Sequence, residues 1–289
     1  MKGVDEMSKQ KIVVRDMQKA DEYFVSTCSH VNENMEIDRS GIRRLAWLKK
    51  RKKTGLRVKV ALLDGEHAGF IYVMPGEICP WGPIGENLMA VPCLWVLKKY
   101  NGKSVGKALL DAAEAEARRQ GKAALAINTY RWDFWFMPSS YFEGQGYCVA
   151  KRRKVTETYE GNKKSVSQRE ILWKVLKPDA EDLERPRFFK NKYIFKPVKG
   201  RVVIDLFYNT FCATSDIEAA RVRKVAGEFG GSVLLNVHSA DDRDCTCRWG
   251  IARGIFINGR EISFGYEIPE DEFRKAVSAE IAVIRKRAR

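Results

Sequence analysis

The sequence predicts an α/β protein in two parts, an α+β domain on a mixed sheet followed by a smaller α/β domain. Three observations carry this expectation. Leu88–Asn128 reads as strand, helix and strand, whose natural geometry is a right-handed parallel crossover. Ahead of it, Leu56–Leu63 alternates apolar and polar residues, Asp64-Gly65 supplies a hairpin turn, and Ala68–Met74 returns as an antiparallel partner. Between Lys177 and Gly200 the periodicity stops in a stretch rich in charge and proline, and a second run of elements then begins. The expected divisions are residues 1–177, a linker over 178–200, and residues 201–289.

The remaining elements follow in order. Lys11–Val14 is a short β-branched strand, and helical stretches near Ala20–Val31 and Arg39–Lys50 would cover one side of the sheet. The extended run Leu88–Leu97 leads through Lys98–Lys103 into a helix carrying Val105, Ala108, Leu109, Ala112, Ala113 and Ala117 on one face, which Gly121 ends. Ala123–Asn128 is a compact apolar strand, and Cys148–Thr158 and Gln168–Val175 are two more, separated by Glu160-Gly161-Asn162. Beyond Gly200 come strand Val202–Tyr208, helix Ile217–Phe229, strand Val233–Val237, hairpin Gly254–Phe264 turning at Asn258-Gly259, and helix Glu270–Arg287. That last helix starts acidic and ends basic, matching its macrodipole.

Composition narrows the classes. At 289 residues with 45% hydrophobic content, the chain can bury two cores. No run nears the roughly 18 apolar residues that span a bilayer, and Met1–Lys11 has no apolar stretch resembling a secretory signal, so a cytoplasmic protein without membrane partners is expected. The seven cysteines, odd in number and scattered, read as thiols rather than a disulfide framework. The net charge of +15 is concentrated in residues 151–199, where 15 Lys and Arg face 7 Asp and Glu. Its dense stretches, Lys49–Lys53 and Lys151–Lys154, are short and sit in no nucleic-acid-binding motif, so a solvated face or an anionic cofactor explains them better than nucleic acid.

The strongest chemical signal is the turn Asn101-Gly102-Lys103-Ser104-Val105-Gly106-Lys107, between a strand and a helix. Glycine permits close backbone approach, and the unpaired N–H groups of a first helical turn, with the positive end of its dipole, suit a pyrophosphate. Lys103 and Lys107 add charge. This turn resembles the pyrophosphate-binding motif of the GNAT superfamily of N-acetyltransferases, Arg/Gln-x-x-Gly-x-Gly/Ala. Asn101 stands at the Arg/Gln position, Ser104 at the first glycine, and Gly106 agrees outright. The resemblance implies a GNAT-like fold using acetyl-CoA, with the pantetheine arm pairing near Leu94, Trp95 and Val96 where the central strand splays from its neighbour. Asn128, at the end of that neighbour, is counted with the same cofactor site.

Tyr141-Phe142-Glu143-Gly144-Gln145-Gly146-Tyr147 is similar to the Phe-Tyr-Glu-Lys-x-Gly-Phe stretch of the same family. The usual tyrosine acid falls on Phe142, which has no proton to donate, leaving Tyr141 as a substitute expected to point elsewhere on a helix. Glu86, before the central strand, and Asp133, in the aromatic stretch Tyr130–Phe136, are the carboxylates placed to act as base. Cys93 sits beside the expected thioester as a covalent nucleophile or a buried structural thiol. Trp132, Phe134, Trp135 and Phe136 either line an acceptor pocket or pack in the core. The reaction implied is direct acetyl transfer to an unidentified small-molecule or peptide amine.

Residues 201–289 resemble a thioredoxin-like fold, with Cys212 in Cys212-Ala213-Thr214-Ser215 between the first strand and helix, where a dipole favours thiolate. No proline precedes Ile255–Ile257, where that fold normally holds one, and Cys245-x-Cys247 has no counterpart there. Cys245 and Cys247 are read as a resolving pair or soft-metal ligands with Cys212, although no metal is assigned. This is the alternative function: a thiol-redox or metal-thiolate protein whose first domain only binds a ligand. The combination of domains, with Pro92-Cys93-Leu94-Trp95-Val96 in the central strand, is similar to the YoaP-like group of acetyltransferases.

Overall fold

Asp64 and Gly65 both take positive φ, 51° and 89°, the backbone that a two-residue hairpin turn requires, and they fold β2 (Arg57–Leu63) onto β3 (Glu66–Pro75). A computed structural model describes residues 11–131, 136–159, 163–177, 183–262 and 267–288. Around this hairpin stand β1 (Ile12–Asp16), β4 (Leu88–Val96), β5 (Ala124–Tyr130), β6 (Cys148–Tyr159) and β7 (Lys163–Val175), in the order β1-β2-β3-β4-β5-β7-β6. Only β4 and β5 run parallel; the other pairings are antiparallel, so the sheet is mixed as expected.

The two faces of this sheet are covered differently. On one, α3 (Val105–Arg119) lays Val105, Leu109, Leu110, Ala113 and Ala117 against Ile71, Val73, Met89 and Val91, with the short α4 (Ser139–Glu143) contributing Phe142. On the other, α1 (Glu22–Ser26) and α2 (Met35–Lys52) bury Phe24, Val25, Trp47 and Leu48 against Val58, Phe70, Tyr72 and Met74. The helix expected near Ala20–Val31 is shorter than its composition suggested. A 3-10 turn over Lys19–Asp21 leads into five residues of α1, and Cys28 and Ser29 then take positive φ, 55° and 70°, which ends the helical path.

A second sheet has the order β11-β10-β8-β9, from β8 (Val202–Tyr208), β9 (Val233–Ser239), β10 (Gly254–Ile257) and β11 (Arg260–Ile262). β8 and β9 are parallel, while β10 is antiparallel to both β8 and β11. α5 (Ala213–Glu228) connects the parallel pair and packs with α7 (Glu270–Ala288) over Val202, Ile204 and Leu206. α6 (Arg243–Trp249) has no counterpart in the sequence reading, since seven mostly polar residues show too little periodicity to mark a helix.

The stretch read as a linker is pinned along its described length. Residues 183–200 hold no helix or strand, yet Arg187 and Ile84 exchange backbone hydrogen bonds of 2.7 Å, and Lys192 N–H donates to Trp249 O at 2.9 Å. Phe188 and Phe189 lie under the guanidinium groups of Arg153 and Arg243. The units built on the two sheets also meet directly, through α2 and α5. Arg43 and Arg221 pair with Asp216 and Glu36 at 2.6 and 2.7 Å, and the Trp47 indole donates to Asp241 O at 2.9 Å. Phe211, from the loop after β8, inserts between Trp47 and Trp81 in the core beneath α2.

Candidate active site

The site begins where the parallel pair opens. β4 and β5 are in register only from Leu88–Ala124 to Val91–Ile127, and beyond that point both strands continue without pairing to each other. On its other side β4 slips by one residue against β3, between the pairs Met74–Ala90 and Tyr72–Cys93. Pro92 lies inside the slip, where a missing N–H costs the ladder nothing. The bulge reverses the side-chain alternation: Met89 and Val91 belong to the face under α3, but Cys93 and Trp95 turn to the face under α2. Leu94 and Val96 return to the α3 face, so the unpaired end of β4 presents polar backbone between two apolar layers.

The turn that follows has the form of an anion cradle. Gly102 and Ser104 both take the left-handed conformation, with φ of 77° and 59°, and alternate left-handed residues draw successive N–H groups toward one point. Asn101, Gly102, Lys103 and Ser104 are exposed, and Ser104 is the N-cap residue of α3. Its hydroxyl makes no capping bond. The serine thus leaves the first N–H groups open rather than closing them. Lys107 pairs with Asp111 at 2.5 Å, one turn along α3, and Lys103 stands over the Tyr100 ring.

Tyr141 completes this corner. A Cβ built on Gly106 would lie 2.6 Å from the Tyr141 hydroxyl, so the absence of a side chain at Gly106 is what admits the phenol. The hydroxyl is buried with no hydrogen-bond partner. Burial, reinforced by the nearby Asp111 carboxylate, pushes its pKa up to about 12, so it keeps its proton at neutral pH. Across the opening, Asn128 donates its amide to Trp81 O and leaves its Oδ1 buried without a donor. On the α3 side an orphaned hydroxyl, an exposed cradle and an unpaired strand edge thus lie where the sequence placed a pantetheine arm. They fit one, since its amides both donate and accept. Asn128, which alternates with Leu125 and Ile127, turns its amide to the opposite face beside Trp81.

The predicted catalytic residues fare unequally. Tyr141 does not point away: its hydroxyl reaches the start of α3, whereas Phe142 is 1% exposed and packed against Tyr147. Glu86 is exposed before the opposite end of β4, about 26 Å of extended chain from Leu94, which removes it as a base at the opening. Asp133, with Trp132, Phe134 and Trp135, lies outside the described residues; Phe136 is half-buried between the two cores. Cys93 is buried, and desolvation together with Cys28 raises its thiol pKa far above the ordinary range, so at neutral pH it is a poor nucleophile.

Two groups on the α2 face escaped the sequence reading. Arg44 is 2% exposed, with Nε and Nη1 lacking hydrogen-bond partners, and its guanidinium lies 5.2 Å from the centre of the Tyr72 ring. The Tyr72 hydroxyl is likewise buried and makes no hydrogen bond of good geometry, with the Arg44 guanidinium and the Cys28 and Cys93 thiols as its polar neighbours. A signal was present: Ser40, Gly41, Arg44, Trp47 and Leu48 form one buried helical stripe, and arginine is foreign to such a position.

The three predicted thiols are not one site. Cys212 is the N-cap residue of α5, with its sulfur 3.1 Å from the Thr214 hydroxyl, and packs against the core beneath α2. Cys245 belongs to a separate cluster with Phe207, Ile251 and Phe256, where burial pushes its pKa up to about 11, and Cys247 is exposed. Residues two apart on a helix point in different directions, which separates the pair on α6. Among the described residues no group of three or more His, Cys, Asp or Glu is arranged to hold a metal ion. Nor is any helix among them long and apolar enough to cross a membrane.

Residues 20–135 match the model of the acetyltransferase (GNAT) family. No curated protein matches the chain. Among solved structures, the chain is similar to an acetyltransferase from Salmonella typhimurium, solved with its cofactor acetyl-CoA, at 18% identity and TM-score 0.43, covering 58% of this chain and 96% of that one. An N-acetyltransferase from Staphylococcus aureus Mu50 is 16% identical with TM-score 0.42, covering 58% and 99%. A ribosomal-protein-alanine N-acetyltransferase from Brucella melitensis is 16% identical with TM-score 0.40, covering 57% and 99%.

Proposed function

We propose that residues 1–177 bind acetyl-CoA and transfer its acetyl group directly to an amine. The family match over residues 20–135 supports a GNAT acetyltransferase domain. The observation that carries the reading is the joint placement of the cradle at Gly102–Gly106 and the orphaned Tyr141 hydroxyl beside the unpaired end of β4.

Acetyl-CoA, when bound, supplies an activated thioester. The open N–H groups of Ser104, Val105 and Gly106 hold its pyrophosphate at the positive end of α3. Backbone groups of Leu94, Trp95 and Val96 align the arm along the opening. Tyr141 holds a proton at Oη for a leaving thiolate. No carboxylate base is assigned, and direct attack by an amine that arrives unprotonated needs only a route for its proton to water.

The remaining residues, 201–289, are read as a thioredoxin-like domain of a YoaP-like protein. The order β11-β10-β8-β9, with β8 and β9 parallel and Cys212 at the start of α5, supports this. The separation of Cys212 from Cys245 and Cys247 speaks against a dithiol or metal-thiolate role.

Calorimetric titration with acetyl-CoA tests the main reading. Saturable binding is expected in wild type, together with at least tenfold weakening in Gly106→Val, whose side chain collides with the Tyr141 hydroxyl. Absence of binding by wild type at millimolar acetyl-CoA would end the acetyltransferase reading.

A further inference from the structure

The α2 face of the opening carries a charge without a counter-ion. Arg44 is buried, two of its nitrogens have no acceptor, and among the described residues no carboxylate bonds or ion-pairs with it. It rests instead over Phe70 and Tyr72, 5.8 and 5.2 Å from the ring centres. A guanidinium so enclosed is strongly unfavourable unless an anion neutralises it. The adjacent Tyr72 hydroxyl is a second buried donor without an acceptor in hydrogen-bond geometry, and the polar groups beside the pair are the thiols of Cys28 and Cys93. Both groups donate, so the missing partner is an acceptor, and a planar guanidinium fork beside a hydroxyl matches a carboxylate.

Their place in the fold connects them with acetyl transfer. Tyr72 lies directly across from Cys93 in the β3–β4 register, and Cys93 is two residues beyond the last β4–β5 pair and next to Leu94. The bulge at Pro92 turns Cys93 and Trp95 toward this face, opposite the α3 cradle. Phe211 and Cys212 pack on the same cluster, so its wall is completed by the second sheet's unit. We propose that Arg44 and Tyr72 form the anion subsite for the acceptor, so that the amine acetylated here is a small molecule that also carries a carboxylate, an amino-acid-like compound. This rests on the acetyltransferase reading above and names its substrate class. The carboxylate is held by the guanidinium and the phenol, and the amine faces the unpaired end of β4 between Cys93 and Trp95.

The test is a coupled assay of CoA release with the full chain, offering the common free L-amino acids, their C-terminal amides, and polyamines, with acetyl-CoA binding followed separately by calorimetry. Turnover of at least one free amino acid is expected, with kcat/KM at least a hundredfold lower for its amide. Arg44→Gln should raise KM for that acceptor tenfold or more while acetyl-CoA binds as in wild type, and Arg44→Lys should recover part of the loss. Tyr72→Phe, which preserves the ring, should raise KM less, and it serves as the reporter if Arg44→Gln fails to fold by circular dichroism. Amides or polyamines acetylated as well as free acids, an unchanged KM in Arg44→Gln or, where that variant does not fold, in Tyr72→Phe, or no acetylated acid in a protein that binds acetyl-CoA would each overturn the subsite. Loss of acetyl-CoA binding by wild type would remove the acetyltransferase reading itself.

Discussion

Tyr141 sits in a helix of five residues, and the whole orientation of the candidate acid depends on the entry of that helix. Its hydroxyl is buried, unpartnered and pressed against the start of α3. Tyr141→Phe is expected to lower kcat by about a hundredfold or more, in the range of a lost general acid, and to leave the acetyl-CoA dissociation constant within about twofold. The pH profile carries a second check. Because burial raises the Tyr141 pKa to about 12, its protonated form persists throughout the neutral range, and no alkaline fall of kcat below about pH 11 should disappear in Tyr141→Phe. The family pattern led instead to Phe142, because a sequence aligned on Gly146 fixes spacing and not direction. Neighbouring residues of a helix diverge by roughly 100°, and which one faces the cradle is decided by packing of Phe142 against Tyr147. Arg44 was legible only by noticing a charge in an apolar stripe.

Elements were easier to read than side chains. The hairpins announced themselves at Asp64-Gly65 and Asn258-Gly259, all four residues taking the positive φ that such turns need, and the helical stripe of α3 was complete in the sequence. The bulge at Pro92 was not readable, because one extra residue in a strand leaves its composition unchanged. The attachment of α4 likewise depends on contacts distant in sequence. Glu170 on β7 is fully buried, and although burial opposes its ionisation, hydrogen bonds from Arg131, Ser139, Arg152 and Gln168 outweigh this and hold its pKa at about 2. A carboxyl depressed in the folded state stabilises fully above its unfolded value near 4.5, and that contribution is lost as pH falls toward 2. Glu170→Gln should therefore melt at a lower temperature than wild type at pH 7, and the gap should narrow between about pH 4.5 and 2 in thermal scans.

At the scale of the molecule, the seam between the two sheets was invisible in the sequence. Phe211 and Trp47 look like ordinary core residues of separate domains, and only the structure puts them in one cluster. A fragment ending at residue 177 would lose Phe211 from between Trp47 and Trp81 and leave the Trp47 indole without its Asp241 acceptor. Such a fragment is expected to unfold at a lower temperature than the full chain and to bind an apolar dye that the full chain excludes, as thermal melts and dye fluorescence would reveal.

The strap over residues 183–200 gives that seam a further property. Because it is fastened to Ile84 at one end and to Trp249 at the other, the docking of the second sheet is a unimolecular event. Short tethers of this kind hold two surfaces at effective concentrations on the order of millimolar. The ion pairs from Arg43 and Arg221 can then be individually weak and the unit still remain docked. The cover over the buried face of β4 is thus held by many small contacts in place of a single latch.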